Sequence, residues 1–81
     1  MSLMESVVPL NTLTGGERGE IISFEGGSFF RKKLEEMGLR IGTPITIVAR
    51  QWMRGPVIVR FENTEVAIGF NMAKRIMVKR V

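Results

Sequence analysis

The first readable pattern along the chain is a period of two. Ile45, Ile47 and Ala49 alternate with Thr46, Val48 and Arg50, and Val57, Val59 and Phe61 alternate with Ile58 and Arg60. Residues i and i+2 share one face of a strand, so both segments predict half-buried strands with the first-named residues inward. Glu20-Ile21-Ile22-Ser23-Phe24 has strand composition, with Ile22 and Phe24 on one face. Val66-Ala67-Ile68 and Arg75 to Lys79 complete the set, the last with Ile76 and Val78 inward. The period changes once. Phe30, Leu34 and Met37 recur at i, i+4 and i+7, which predicts an amphipathic helix over about 28–38. Ser28 stands where a capping side chain would. Gly38 suits a left-handed stop that brings Leu39 against Leu34. Gly69 to Lys74 predicts one further helical turn.

Turn residues separate these elements: Gly26-Gly27, Gly42-Thr43-Pro44, Gln51 to Gly55, and the polar Glu62-Asn63-Thr64-Glu65. Val7 to Gly16 reads as a lead-in, with Pro9 fixing one dihedral and Leu10 and Leu13 docking on the core. Met1-Ser2-Leu3 before Met4 looks like an expression scar, so residues 1–6 are assigned to scar and disordered lead-in and 7–81 to a single domain. Five short strands, one inserted helix and one helical turn in 81 residues cannot make two packed sheets. A small, strongly bent barrel buries the inward faces and hides the strand edges. The expected fold is therefore mainly β, an SH3-like barrel, with an OB-type barrel as the second choice.

Composition narrows the chemistry. Hydrophobic residues at 44% and charged residues at 25% fit a folded domain rather than a disordered tail. There is no Cys, His or Tyr, and all 8 acidic residues are Glu. Disulfides, Cys/His zinc sites and Ser-His-Asp or Cys-His catalysis are excluded by that inventory, and a non-enzymatic role is expected. No apolar run reaches the roughly 18 residues of a membrane span, and no signal-peptide pattern opens the sequence, so a cytoplasmic location without membrane insertion is expected. Twelve Lys and Arg against 8 Glu give a net charge of +4, which favours anionic partners without choosing among them.

The motifs, taken in order, resemble a known family. Pro9-Leu10, Gly19-Glu20-Ile21-Ile22, Gly26-Gly27, Lys33-Leu34-Glu35-Glu36-Met37-Gly38-Leu39, Gly42-Thr43-Pro44-Ile45, Gly55-Pro56-Val57-Ile58-Val59, Thr64-Glu65-Val66-Ala67-Ile68-Gly69 and Met72-Ala73-Lys74-Arg75-Ile76 together look like the ferrous iron transport protein A (FeoA) family over about residues 8–79. The resemblance implies a small cytosolic SH3-like barrel with an accessory role in ferrous iron uptake, beside the permease FeoB and its GTPase domain. The family often has Arg where this chain has Lys33, and only Arg offers a bidentate fork there. The resemblance also implies that the same barrel occurs in iron-dependent repressors, whose DNA-binding domain does not fit within this length.

Candidate partner contacts fall in two places. On the helix, Arg31, Lys32 and Lys33 precede Glu35 and Glu36, the reverse of what the helix dipole prefers. The Arg31–Glu35 and Lys32–Glu36 pairs offset that only in part. A basic helix start beside Gly26-Gly27 suits a phosphate or carboxylate of a partner, against the alternative of a merely solvated face. Phe29 lies about 100° off the apolar stripe and either tucks under the lead-in or stands exposed as a contact. Arg40, just past the helix, adds another cation. On the loop between strands, Trp52, Met53 and Arg54 have the residue types enriched at interfaces, against Trp52 acting as a lid on the barrel.

For iron, the donor inventory is poor. Glu35 and Glu36 diverge on a helix, and Glu62 and Glu65 flank a turn as solvated carboxylates, so no metal or cofactor is expected to be held tightly. The helix start lacks the spacing of a phosphate-binding P-loop. A proline-peptide groove needs several aromatics, which one Trp and no Tyr do not supply. The favoured partner is FeoB, through its cytosolic or its membrane portion. The alternative is a small basic barrel that binds nucleic acid. Exposed strand edges leave room for weak self-association.

Overall fold

The computed structural model describes residues 7–51 and 53–81. The expected scar and lead-in at 1–6 and the placement of Trp52 lie outside the described residues. The strands are β1 (Val7–Pro9), β2 (Arg18–Phe24), β3 (Pro44–Arg50), β4 (Val57–Phe61), β5 (Thr64–Ile68) and β6 (Ile76–Arg80). They are joined by a 3₁₀ turn (Leu10–Thr12), helix α1 (Ser28–Glu36) and the short helix α2 (Phe70–Ala73). The strands form one 6-stranded antiparallel sheet in the order β1-β6-β2-β3-β4-β5. The outer strands β1 and β5 run into the 3₁₀ turn and α2, and these two turns pack on each other. The sheet thus curls around its own core, as an SH3-like barrel does.

That core is one cluster. Leu10 and Leu13 enter from the 3₁₀ segment, Ile21, Ile45, Ile47, Val57, Val59, Phe61, Ile68, Ile76 and Val78 from the strands, Leu34 and Leu39 from α1 and its exit, and Ala73 from α2. Leu10 and Leu13 dock as expected, and the inward sets of β4 and β6 are those that the alternation predicts. Phe30 and Met37 flank the buried Leu34 and pack partly against the cluster.

Four local readings need correction. The segment read as lead-in contains a sixth strand: Val7, Val8 and Pro9 pair with Lys79, Val78 and Met77. Three residues are too few to show a period, and Pro9 is tolerated because β1 is an edge strand. In β2 the register shifts between Ile21 and Ser23, so Ile21 is fully buried while Phe24 is half-buried and Ile22 is not part of the core. In β3 a second shift between Ile47 and Ala49 leaves Ala49 exposed. A bulge inserts one residue and reverses the facing of the rest of the strand, which strict alternation cannot anticipate. Finally, Gly27 is the N-cap of α1 and Ser28 is already helical, with no side chain capping the first turn.

The other end of α1 agrees with expectation. Gly38 has φ +95°. Its N–H donates to the Glu35 carbonyl at 3.0 Å, and the Leu39 N–H donates to the Leu34 carbonyl at 3.0 Å. Those are the two bonds of a Schellman stop, and Leu34 and Leu39 are both fully buried beside it. A Cβ on Gly38 would lie 3.0 Å from Cε2 of Phe61, so the helix end is pressed against β4. Gly19 allows a second close approach: a Cβ there would meet Val78 Cγ1 at 2.4 Å.

Candidate partner-binding face

Helix α1 presents its cations to solvent. Arg31, Lys32 and Lys33 are all exposed, and Phe29 is 84% exposed, so its ring does not tuck under the described part of the lead-in. Arg31 Nε lies 3.6 Å from Glu35 Oε2 with both side chains about half exposed. Such a pair is worth about 0–1 kcal/mol. The expected Lys32–Glu36 ion pair does not form, and neither Lys32 nor Lys33 is in an ion pair among the described residues.

The loop between β3 and β4 is closed by the Gln51 N–H donating to the Pro56 carbonyl at 3.2 Å. At its tip Met53 and Arg54 hold φ of 57° and 67°, the left-handed region, although neither is glycine. Each such residue costs about 1–2 kcal/mol. Met53 is 90% exposed, so no burial of its side chain offsets that cost. The Arg54 guanidinium sits 5.8 Å from the ring centre of Phe70, at the start of α2, and Lys74 Nζ lies 5.9 Å from the same ring.

The next residue after Lys74 reaches the other patch. The Arg75 guanidinium lies 5.8 Å from the ring centre of Phe30 on α1. The Glu25 N–H donates to the Arg75 carbonyl at 2.6 Å, and Phe24 meets Phe30 edge-on at 6.5 Å. The helix start and the loop tip, far apart in sequence, are therefore linked by Phe70, Lys74, Arg75 and Phe30. Sequence reading put Phe70 and Lys74 in a helical turn and Arg75 at the start of the last strand, and gave none of them a role in binding. Their one signal is two adjacent cations directly before the last strand. Arg40 belongs elsewhere. It lies past the C-terminal end of α1, its N–H donating to Thr43 Oγ1 at 3.0 Å, outside the chain of contacts that links the helix start to the loop tip.

A cleft of about 290 Å³ opens beside the loop tip, lined chiefly by Asn11, Thr14, Arg50, Gln51, Arg54 and Phe70. Arg50 Nη1 donates to the Asn11 carbonyl at 3.1 Å. One wall is braced by Glu17: its Oε2 accepts from the Thr14 N–H at 2.8 Å and the Thr14 hydroxyl at 3.2 Å, and its Oε1 lies 3.2 Å from Arg80 Nε. The Thr14 N–H foremost, with the Thr14 hydroxyl and Arg80 assisting, holds the Glu17 carboxyl below its ordinary value.

The remaining carboxylates do not converge. Glu65 Oε2 accepts from Arg60 Nε at 3.0 Å and also from Arg60 Nη2, so that carboxylate is already engaged by an arginine. Among the described residues no group of three or more acidic side chains is placed to hold a metal ion. No described helix is long and apolar enough to cross a membrane.

Fold and surface together define a small SH3-like barrel whose distinctive feature is a cationic and aromatic rim. A family model, the FeoA domain, matches residues 8–80. Fe(2+) transport protein A of Methanocaldococcus jannaschii is 31% identical over 71 residues, covering 88% of this chain and 84% of that protein. The crystal structure of an iron uptake regulatory protein (FeoA) superposes with a TM-score of 0.86 at 36% identity, over 93% of this chain and 99% of that one. A manganese-dependent transcriptional repressor shares the fold alone, with a TM-score of 0.84 at 17% identity, over 93% of this chain and 42% of that one. The chain belongs to the FeoA family, which takes part in ferrous iron transport.

Proposed function

We propose that this chain is a cytoplasmic, non-enzymatic accessory protein of ferrous iron uptake that docks on the cytosolic part of the FeoB permease. The observation that carries the reading is the connected rim: Phe29, Arg31, Lys32 and Lys33 at one end, Met53 and Arg54 at the other, bridged by Phe70, Lys74 and Arg75. Exposed Phe29 and Met53 leave apolar surface in water, and the backbone of Met53 and Arg54 is strained without building the core; set beside a row of cations, these are the features of a recognition face. Trp52 sits in the same loop by sequence and is assigned as an anchor. Docking acts on transport by preferring one conformational state of the permease, since equal affinity for both states shifts nothing.

The nucleic-acid reading has less support. Single-strand binding uses aromatics on an open strand face. Phe61 is 6% exposed and Phe24 packs on Phe30, leaving no such platform among the described strands.

The test is a titration of isotope-labelled protein with the soluble GTPase portion of FeoB, and in parallel with single-stranded DNA and RNA. Amide shifts confined to residues 28–33, 51–55 and 70–75 with the GTPase alone support docking. Shifts with nucleic acid only would replace the proposal by the alternative.

A further inference from the structure

The cleft at the loop tip combines features that single out one kind of ligand. Its two guanidiniums, Arg50 and Arg54, form no ion pair among the described residues, and no acidic side chain lines the cleft. Each is nonetheless held in place, Arg50 by its 3.1 Å bond to the Asn11 carbonyl and Arg54 by the Phe70 ring at 5.8 Å. Held cations with unused donors lose little freedom when an anion arrives. A planar fork of N–H groups matches a carboxylate with two parallel bonds. A second cleft, of about 360 Å³, differs in this respect: its lining includes both Arg60, already bound to Glu65, and the acidic Glu62.

Two further features are unlike a bare anion site. Phe70, Met53 and Val57 give the first cleft an apolar side. Asn11 Oδ1 is buried without any hydrogen-bond donor. A buried acceptor left unpaired costs about 1–3 kcal/mol, and the amide torsion is soft enough to turn this oxygen toward the cleft. A ligand that satisfies every feature brings a carboxylate, an apolar side chain and an N–H donor within a few atoms of each other. A peptide does so through its own backbone; inorganic phosphate and a phosphatidylglycerol headgroup carry no N–H.

We infer that the Asn11–Arg50–Arg54–Phe70 cleft is a receptor for an acidic peptide segment with an apolar residue next to a Glu or Asp. This deepens the docking proposal, on which it rests, by naming the chemistry of the partner segment that meets the loop end of the rim.

The test uses the full chain, isotope-labelled and observed at backbone amides and arginine Nε–H groups. The probe is a blocked hexapeptide, acetyl-Gly-Leu-Glu-Glu-Leu-Gly-amide. Its isosteric Gln-for-Glu version, inorganic phosphate and phosphatidylglycerol vesicles serve as comparisons. The expected result is saturable shifts at Asn11, Thr14, Gly15, residues 50–55 and Phe70, with Arg18 and Arg40 unmoved. The Gln peptide and the separate variants Arg50→Gln and Arg54→Gln should each bind about tenfold or more weakly, as loss of a charged hydrogen bond implies. Arg18→Gln should bind as the parent does. Equal binding of the Gln peptide, equal binding by both arginine variants, no localised shifts, or the same shifts with phosphate or vesicles would each overturn the proposal. The same variants are then tested on the GTPase portion of FeoB. Docking that persists with Arg50→Gln, a residue outside the docking face, while the peptide is lost retires the cleft as the docking receptor and leaves the docking face standing. Peptide binding without any docking does the opposite.

Discussion

Among the places where this barrel sends the chain through a left-handed backbone conformation, the end of α1 and the tip of the β3–β4 loop do it with opposite chemistry. At the end of α1 the residue is Gly38, its neighbours Leu34 and Leu39 are fully buried, and both Schellman bonds are made. At the tip of the β3–β4 loop the residues are Met53 and Arg54, exposed, with side chains that a glycine would lack. The first site puts the helix where the core needs it and uses the residue with no Cβ to strain. The second accepts a cost of about 1–2 kcal/mol per residue in order to present a thioether and a guanidinium. Strain kept where it does not help folding is a pointer to recognition.

The comparison can be broken at either site. Leu34→Ala removes a fully buried side chain and is expected to cost about 2–5 kcal/mol in thermal or denaturant unfolding, while the folded fraction docks normally. Gly38→Ala should cost about 1–2 kcal/mol from the left-handed backbone, with the 3.0 Å approach to Phe61 adding to it. Arg54→Gly should behave in the opposite sense. Relief of strain against the added chain entropy leaves stability unchanged or raised by up to about 1 kcal/mol, while docking weakens. Loss of stability on Arg54→Gly would mean that the tip is structural and the contrast false.

The smallest effect concerns the wall of the cleft. Glu17 has its carboxyl held low in the folded state, so its contribution is present above the ordinary carboxylate value and is lost as pH falls through the lowered one. Glu17→Gln should therefore lower the neutral plateau slightly, leave the acid end unchanged and so flatten the limb between them, monitored by circular dichroism.

What could be read from the sequence divides along the same line. The Schellman stop was legible because Gly38 and the spacing of Leu34 and Leu39 are local signals. The inward faces of β4 and β6 were legible because those strands keep strict alternation. Ala49 and Ile22 were misplaced because bulges in β3 and β2 reverse the facing within a strand, and the extra residue carries no mark of its own. β1 was missed because three residues ending in Pro9 show no period. The cations of α1 and of the loop stood out as residue types. Their connection did not, because it depends on Arg54 meeting Phe70 and Arg75 meeting Phe30, contacts between residues far apart in sequence.

The central claim is that the two patches work as one docking face, separate from the residues that stabilise the fold. The direct measurement is the affinity of the soluble GTPase portion of FeoB for four forms of the chain: Lys32→Glu with Lys33→Glu, Arg54→Glu, all three together, and Gly38→Ala. The account predicts that each charge-reversed patch weakens docking about tenfold or more, that their combination abolishes it, and that the less stable Gly38→Ala binds like the parent. Parent-like affinity after charge reversal at either patch, or loss of docking in Gly38→Ala, would contradict it.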